Sequence, residues 1–213
     1  MPYPGTTENG SSAGRRLRVL GVDPALAGAT GYGVVEIEGT HTRLVNFGAL
    51  RLPAKASFGT RLHEIHKLIA RLVEEFAPDA VAVESVFTAL NMRTALKLAE
   101  VRGVVLLAAA QAQIPTLSYS PREVKASVAG YGAASKQQMQ QMVGSLLGLA
   151  RCPEPSDAAD ALAVALCHAQ MTQARDRFTA ATRLQTPAVA HKIHPETPAA
   201  GNRARTARIQ SPR

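Results

Sequence analysis

The 213-residue sequence has few of the features that would assign it to several other protein classes. Its two cysteines, Cys152 and Cys167, are too few for a disulfide framework and too far apart for a C-x-x-C metal knuckle. No apolar run reaches about 18 residues, so we expect no transmembrane helix. The N-terminal segment also lacks the apolar core of a secretory signal. We therefore expect a protein of the reducing cytoplasm that does not associate with membranes.

The net charge of +8 is concentrated at the two ends of the chain. Residues 1–18 have a net charge of +2 and residues 171–213 a net charge of +6, so residues 19–170 are neutral. Basic ends suit a polyanion such as nucleic acid, but they are equally typical of a solvated tail, and both interpretations stay open. We divide the chain into a disordered extension (1–16), a compact domain (17–172) and a basic, disordered tail (173–213).

Hydrophobic periodicity predicts a mixed sheet covered by helices, which is an α/β architecture. Gly28, Gly31 and Gly33 are predicted to form the turn between the first two strands. The predicted strands are 17–22, 31–38, 42–51, 80–84 and 116–119, and the predicted helices are 58–76, 91–112, one that begins at Pro121, 136–148 and 157–171.

The predicted helix over 91–112 becomes apolar on all sides at residues 103–110. A helix that is apolar all round is typically buried on every face. One face can cover the sheet. The other face needs a partner, which is either a second subunit or another part of the same chain.

Four carboxylates occupy positions from which they could meet. Asp23 ends the first strand, Glu84 ends the fourth, and Asp157 and Asp160 open the last helix on one face. Each has an ordinary structural explanation, as a turn residue or a helix cap. If the two strands are adjacent, however, the acids meet at one edge and repel one another unless a cation is present. Mg²⁺ prefers such ligands, and two Mg²⁺ ions can support phosphodiester hydrolysis.

Four segments of the chain resemble the RuvC family of Holliday junction resolvases, which are crossover junction endodeoxyribonucleases with an RNase H-like fold. The resemblance covers about 17–172 and keeps the order and spacing of the family. The segments are GVDPALAGATGYGVV (21–35), PDAVAVESVFTALNMRTALKLAEVRGV (78–104), YSPREVKASVAGYGAASKQQM (119–139) and SDAADALAVALCHA (156–169). The resemblance implies a five-stranded mixed sheet flanked by helices.

The resemblance also implies a function. It makes Asp23, Glu84, Asp157 and Asp160 a catalytic tetrad that binds divalent metal, with two Mg²⁺ per subunit and Mn²⁺ as a substitute. It implies a homodimer, packed through the helix at 91–112, that resolves four-way DNA junctions in recombination and repair. Each subunit would nick one of two strands of like polarity and leave a 5′-phosphate. The RuvA and RuvB branch-migration complex would be a partner.

The resemblance implies DNA contacts less specifically. Phe87 matches an aromatic residue near the junction centre that could stack on an unpaired base. Lys125 and Lys136 match lysines near the scissile phosphate, where they could offset the charge of the transition state. Arg93 and Arg122 are candidates for contacts to the DNA backbone.

One departure and three alternative functions stay open. Ala25 stands where the family usually has glycine, and alanine would be strained there if the position needs a positive φ. An actin-like kinase would need a second Gly-rich phosphate loop, which we do not find. Another RNase H-like nuclease, acting on RNA or on replication forks, would share the catalytic motifs. A non-catalytic junction-binding protein would not need all four acids.

Overall fold

A computed structural model describes residues 16–25, 28–85 and 91–185. These residues form five strands, β1 (Arg16–Asp23), β2 (Thr30–Glu38), β3 (His41–Leu50), β4 (Ala80–Glu84) and β5 (Thr116–Tyr119). The strands make one sheet with the order β3-β2-β1-β4-β5. β2 is antiparallel to both β1 and β3, whereas β4 is parallel to β1 and to β5. The carboxyl ends of β1, β3, β4 and β5 therefore share one edge of the sheet.

Helices cover both faces of this sheet, so the predicted α/β class is confirmed. The helices are α1 (Phe58–Phe76), α2 (Met92–Gln111), α3 (Pro121–Ala129), α4 (Lys136–Leu146) and α5 (Ser156–Gln185). One face packs on α1 and α2, with Leu20 and Val34 of the sheet against Ile65 and Ile69. The other face packs on α5, whose Leu162 meets Val35, and on α3 and α4 beside it.

Three glycines let α5 lie very close to the sheet. Gly31 and Gly33, which we predicted as turn residues, lie within β2, and Gly21 lies within β1. A Cβ at Gly33 would be 2.5 Å from Cδ2 of Leu162, and a Cβ at Gly31 would overlap the backbone carbonyl of Asp157. Glycine provides close backbone approach as well as turns, and the sequence alone does not distinguish the two uses.

The predicted end of the last helix, at about 171, is wrong. α5 continues to Gln185, so residues 173–185, which we assigned to the disordered tail, are helical. This extension has no apolar periodicity, but it is rich in alanine, arginine and glutamine, which readily prolong a helix that packing has already nucleated. Gln173 Nε2 also donates a hydrogen bond to the Gly39 carbonyl at 3.1 Å. The division of the chain into one domain and two tails stays a prediction.

Within a single chain, α2 is buried on one face, so the partner that the sequence predicts for its other face stays a prediction. Val101, Val105 and Ala109 face the core, whereas Leu96 and Leu107 are 58% and 52% exposed. Because several residues of this helix are alanine or glycine, the sequence looks apolar on every face of the helix, although one face is left exposed in the described chain. Among the described residues, no helix has both the length and the apolar character needed to cross a membrane. Location in the cytoplasm stays a prediction.

Candidate active site

Asp23 and Glu84 emerge side by side from the sheet. They are the last residues of β1 and β4, which are adjacent and parallel, with Val22 paired to Val83 in the preceding register position. The four residues before each acid are apolar and buried, so the sheet core ends where the carboxylates begin. The expected meeting of the two strand ends is therefore present in the structure.

The start of α5 supplies the other two acids to the same edge. Asp157 and Asp160 lie in its first turns, three residues apart and hence on one face. The backbone of Asp157 contacts Gly31, and Gly31 is paired with Asp23 across β1 and β2. The close approach permitted by the strand glycines therefore brings the helix start to the strand ends.

The electrostatics of the site show that these acids interact. Burial, followed by the charges of Glu84, Asp160 and Asp157, raises the pKa of Asp23 to about 7. Burial and the charge of Asp160 also raise the pKa of Glu84. Each effect is the response expected when several carboxylates are held together away from water. A bound cation would relieve the repulsion.

Two lysines border the acids in a cleft of about 250 Å³. Lys136, the first residue of α4, places its Nζ 2.8 Å from Oδ2 of Asp160, and this hydrogen bond raises the pKa of Lys136. Lys125 of α3 also lines the cleft, and its charge opposes the upward shift in the pKa of Glu84. The cleft therefore combines Asp23, Glu84 and Asp160 with two cations, whereas Asp157 does not line it.

The donor set fits a hard divalent ion. Carboxylate oxygens are the ligands that Mg²⁺ and Mn²⁺ prefer, and Mg²⁺ uses only one or two of them while it keeps several waters. In the part of the chain that the structure describes, no three histidine, cysteine, aspartate or glutamate side chains form a ready-made metal-binding group. Lys136 occupies Asp160 as an internal counterion, so a metal ion would have to displace or share this contact.

The structure treats the predicted DNA contacts unequally. Lys125 and Lys136 line the cleft, as expected. Arg122 is exposed in the first turn of α3 and packs over Gly132, whereas Arg93 is exposed in the first turn of α2 and does not line the cleft. Phe87 lies outside the described residues.

Ala25 follows the site directly and does not have a positive φ; in the described chain, the non-glycine residues with a positive φ are Ala77 and Gln113. The expected strain at Ala25 is therefore absent, and glycine is not required there for backbone reasons.

Two features near the acids were not predicted from the sequence. Arg51 follows β3, and its Nη2 lies 3.9 Å from Oδ2 of Asp157. The signal was available, because β3 ends at the same edge as β1 and β4. The second feature is a buried pair in which the Tyr119 hydroxyl lies 2.7 Å from Nδ1 of His168. The Tyr119 carbonyl also accepts a hydrogen bond from the Ser85 N–H, so this pair ties α5 to the strand end that carries Glu84.

Comparison with known proteins identifies the family. Residues 19–168 match the family model described as crossover junction endodeoxyribonuclease RuvC. The chain belongs to this family. Members of the RuvC family are metal-dependent nucleases. The resemblance inferred from the four segments is confirmed, and the actin-like kinase alternative is wrong.

Individual RuvC proteins are similar over most of their length. RuvC of Chloroflexus aurantiacus (strain ATCC 29366 / DSM 635 / J-10-fl) is 48% identical over 162 residues, which are 76% of this chain and 98% of that protein. The Thermus thermophilus RuvC structure is 35% identical with a TM-score of 0.67, and it covers 74% of this chain and 96% of that one. T. thermophilus RuvC in complex with Holliday junction substrate is 36% identical with a TM-score of 0.70, covering 75% and 96%.

Proposed function

We propose that this chain resolves Holliday junctions by metal-dependent phosphodiester hydrolysis at its cluster of four acids. The observation that carries the proposal is the convergence of Asp23, Glu84, Asp157 and Asp160 on one sheet edge, where burial and mutual repulsion raise the pKa of Asp23 to about 7. Repulsion between carboxylates destabilises a fold, and carboxylates with a perturbed pKa in a cleft are typical of catalytic sites. Membership of the RuvC family supplies the substrate class.

The four carboxylates would hold two divalent ions per subunit, Mg²⁺ by preference and Mn²⁺ as a substitute. When bound, the ions would supply an activated water and neutralise charge at the phosphate. Hydrolysis would leave a 5′-phosphate and a 3′-hydroxyl. The chain contributes the fixed positions. Asp23 and Glu84 are set by the ends of two paired strands, and Asp157 and Asp160 by the first turns of α5.

The lysines would serve the phosphate. Lys136 is 58% exposed and therefore free to exchange its contact with Asp160 for a phosphate oxygen when DNA enters the cleft. Lys125 is part of the cleft lining on the same side, near Glu84. A lysine at this point stabilises the extra negative charge that develops on the phosphate during hydrolysis.

Three further residues are proposed as DNA contacts. Arg93 and Arg122 are exposed and charged, so each can reach a backbone phosphate. Phe87 follows Glu84 by three residues in the sequence and would stack on an unpaired base at the junction centre. Base–aromatic stacking contributes about 1–3 kcal/mol per base in single-strand binders.

We propose a homodimer that pairs two of these sites, so that each incises one of two strands of like polarity. An apolar stripe on the outer face of α2 supports it, formed by Met92, Leu96, Ala99, Gly103 and Leu107 at spacings of three and four residues. A Cβ at Gly103 would meet nothing within 4 Å, so this face of the helix is open to a close partner. The stripe replaces the original expectation for 103–110, because Val105, Ala108 and Ala109 are buried within the chain.

The dimer and its partners can be tested apart from catalysis. Light scattering should give twice the 22.5 kDa chain mass for the wild type and the monomer mass for a Leu96→Glu/Leu107→Glu variant. A monomeric wild type would contradict the dimer. A complex with RuvA and RuvB follows from the family activity, and co-sedimentation on junction DNA would detect it.

A cleavage assay tests the proposed function. A synthetic four-way junction with a mobile core and a matched linear duplex are each incubated with Mg²⁺ and either wild type or Asp23→Asn. We expect paired, symmetric nicks in the junction with the wild type and none with Asp23→Asn, which should still bind because it has lost a negative charge. Tight junction binding without cleavage by the wild type would instead favour a non-catalytic junction-binding protein.

A further inference from the structure

Arg51 carries a charge beside the acids that the fold itself does not use. It follows β3 directly, and its side chain is 75% exposed. Its one recorded partner within the described chain is Asp157, at 3.9 Å, which is the outer limit of an ion pair and too long for a hydrogen bond. Exposed pairs of this kind contribute little to stability, so the position of Arg51 needs another explanation.

The sheet order places this arginine on the side of the cleft away from the lysines. Lys125 follows β5 at one end of the row of strands, and Arg51 follows β3 at the other end. Leu50 is paired with Thr30 and Asp23 with Gly31, so the ends of β3 and β1 lie two strand spacings apart, about 10 Å. The acids lie between the two cationic flanks.

We propose that Arg51 binds a phosphate of the cleaved DNA strand next to the scissile one, on the side opposite Lys125 and Lys136. This inference rests on the proposed function. A strand that crosses the acids meets repulsion there, and a cation on each side holds it across them. Arginine suits the task because its planar fork is always charged and can bind two phosphate oxygens at once.

The test compares Arg51→Gln with Arg71→Gln, which removes the same charge elsewhere. Arg71 is exposed near the end of α1, and the last carbonyl of α1, that of Phe76, accepts a hydrogen bond from Arg18 near the start of β1. The control charge is therefore at the opposite end of the sheet from Asp23. Junction affinity is measured in EDTA over a range of salt concentrations, so that no divalent ion contributes.

For Arg51→Gln we expect affinity to fall about 3- to 10-fold at physiological salt, and the negative slope of log affinity against log salt to become less steep by about one. Arg71→Gln should leave the slope unchanged. Arg51→Lys should restore the slope, because it restores the charge, but recover affinity only in part, because it lacks the fork. The thermal midpoint of Arg51→Gln should shift by no more than about 2 °C, as for an exposed pair.

Kinetics distinguish phosphate binding from an effect on the metal site. Arg51→Gln should raise KM and change kcat by less than about twofold, because a phosphate beside the reacting one is bound equally in ground and transition states. An Arg51→Gln salt slope equal to that of Arg71→Gln, or an effect confined to the Mg²⁺ requirement, would overturn the inference. A wild type that neither binds nor cuts the junction would overturn the proposed function itself.

Discussion

The two ends of the same sheet treat a poorly exposed carboxylate in opposite ways. At the end where β1 begins, Glu36 is 2% exposed and accepts hydrogen bonds from Arg18 at 2.6 Å and Arg43 at 2.8 Å, with Arg16 at 3.3 Å. The hydrogen bond from Arg18, with the help of the other arginines, lowers the pKa of Glu36. At the end where β1 stops, burial and neighbouring acids raise the pKa of Asp23 to about 7.

The arginine cluster around Glu36 stabilises the fold, whereas the acids around Asp23 destabilise it and form the candidate active site. Glu36 has more positive charge around it than it needs, and Arg18 also donates to the Phe76 carbonyl, so this cluster joins β1, β2, β3 and the end of α1. Among the described residues that affect the pKa of Asp23, Lys136 is the one opposing charge against three acids. A carboxylate left in repulsion costs stability, and such local costs are typical of sites that await a ligand.

The largest effect should follow from removing a charge at the end of the sheet where the four acids repel one another. We expect Glu84→Gln to lower junction cleavage by at least about 10³-fold, because a metal-holding carboxylate contributes several kcal/mol to the transition state. Junction affinity should be kept or increased, since less negative charge faces the phosphates. Single-turnover cleavage and a gel-shift titration measure the two. Cleavage within tenfold of wild type would assign the chemistry to other residues.

The next largest effect concerns the opposite end of the sheet, where arginines neutralise Glu36. Glu36→Gln should destabilise the protein by about 2–4 kcal/mol, because it removes the buried anion that the partly buried Arg18 and the more exposed Arg43 both bind. Urea unfolding measures this, and Glu74→Gln on the exposed face of α1 is a matched control that should stay within about 0.5 kcal/mol. Cleavage per folded molecule should not change. An unchanged stability of Glu36→Gln would mean that the arginine cluster does not hold the sheet together.

A smaller effect of the opposite sign should follow from neutralising Asp23. Because its folded pKa of about 7 lies above the usual 3.8, the native state keeps its proton longer, and stability falls as pH rises between these values. Asp23→Asn removes this loss. Without metal, the variant should therefore be more stable than wild type by about 1–3 kcal/mol at about pH 8 and equal to it at about pH 4. A variant that is less stable at high pH would show that Asp23 is already neutralised.

The smallest effect tests whether Glu36 has more arginines around it than stability requires. Arg16 is 59% exposed and is the most distant of the three arginines around Glu36. Arg16→Gln should cost less than about 1 kcal/mol, and the cost should shrink further in high salt. A loss as large as that of Glu36→Gln would mean that all three arginines are needed.

The sequence was sufficient to predict the parts of the site that are local. Asp23 and Glu84 each end an apolar strand, and Asp157 and Asp160 open a helix, so their pattern and spacing indicate where they lie. The contacts that depend on distant pairing were missed. Glu36 and Arg43 meet only because β2 and β3 pair in that register, and Arg51 reaches Asp157 across β2. Gly31 and Gly33 look like turn residues until α5 is placed on them.

Metal binding by the four acids is tested most directly by the free energy of unfolding at about pH 8 with and without saturating Mg²⁺, measured for wild type and Asp23→Asn. If the four acids are a metal site, the ion should stabilise the wild type by about 2–3 kcal/mol at a hundredfold excess over its Kd and stabilise the variant far less. The metal-free advantage of the variant would then disappear or reverse. Equal stabilisation of both proteins, or of neither, would contradict the claim that this edge of the sheet holds the catalytic metal.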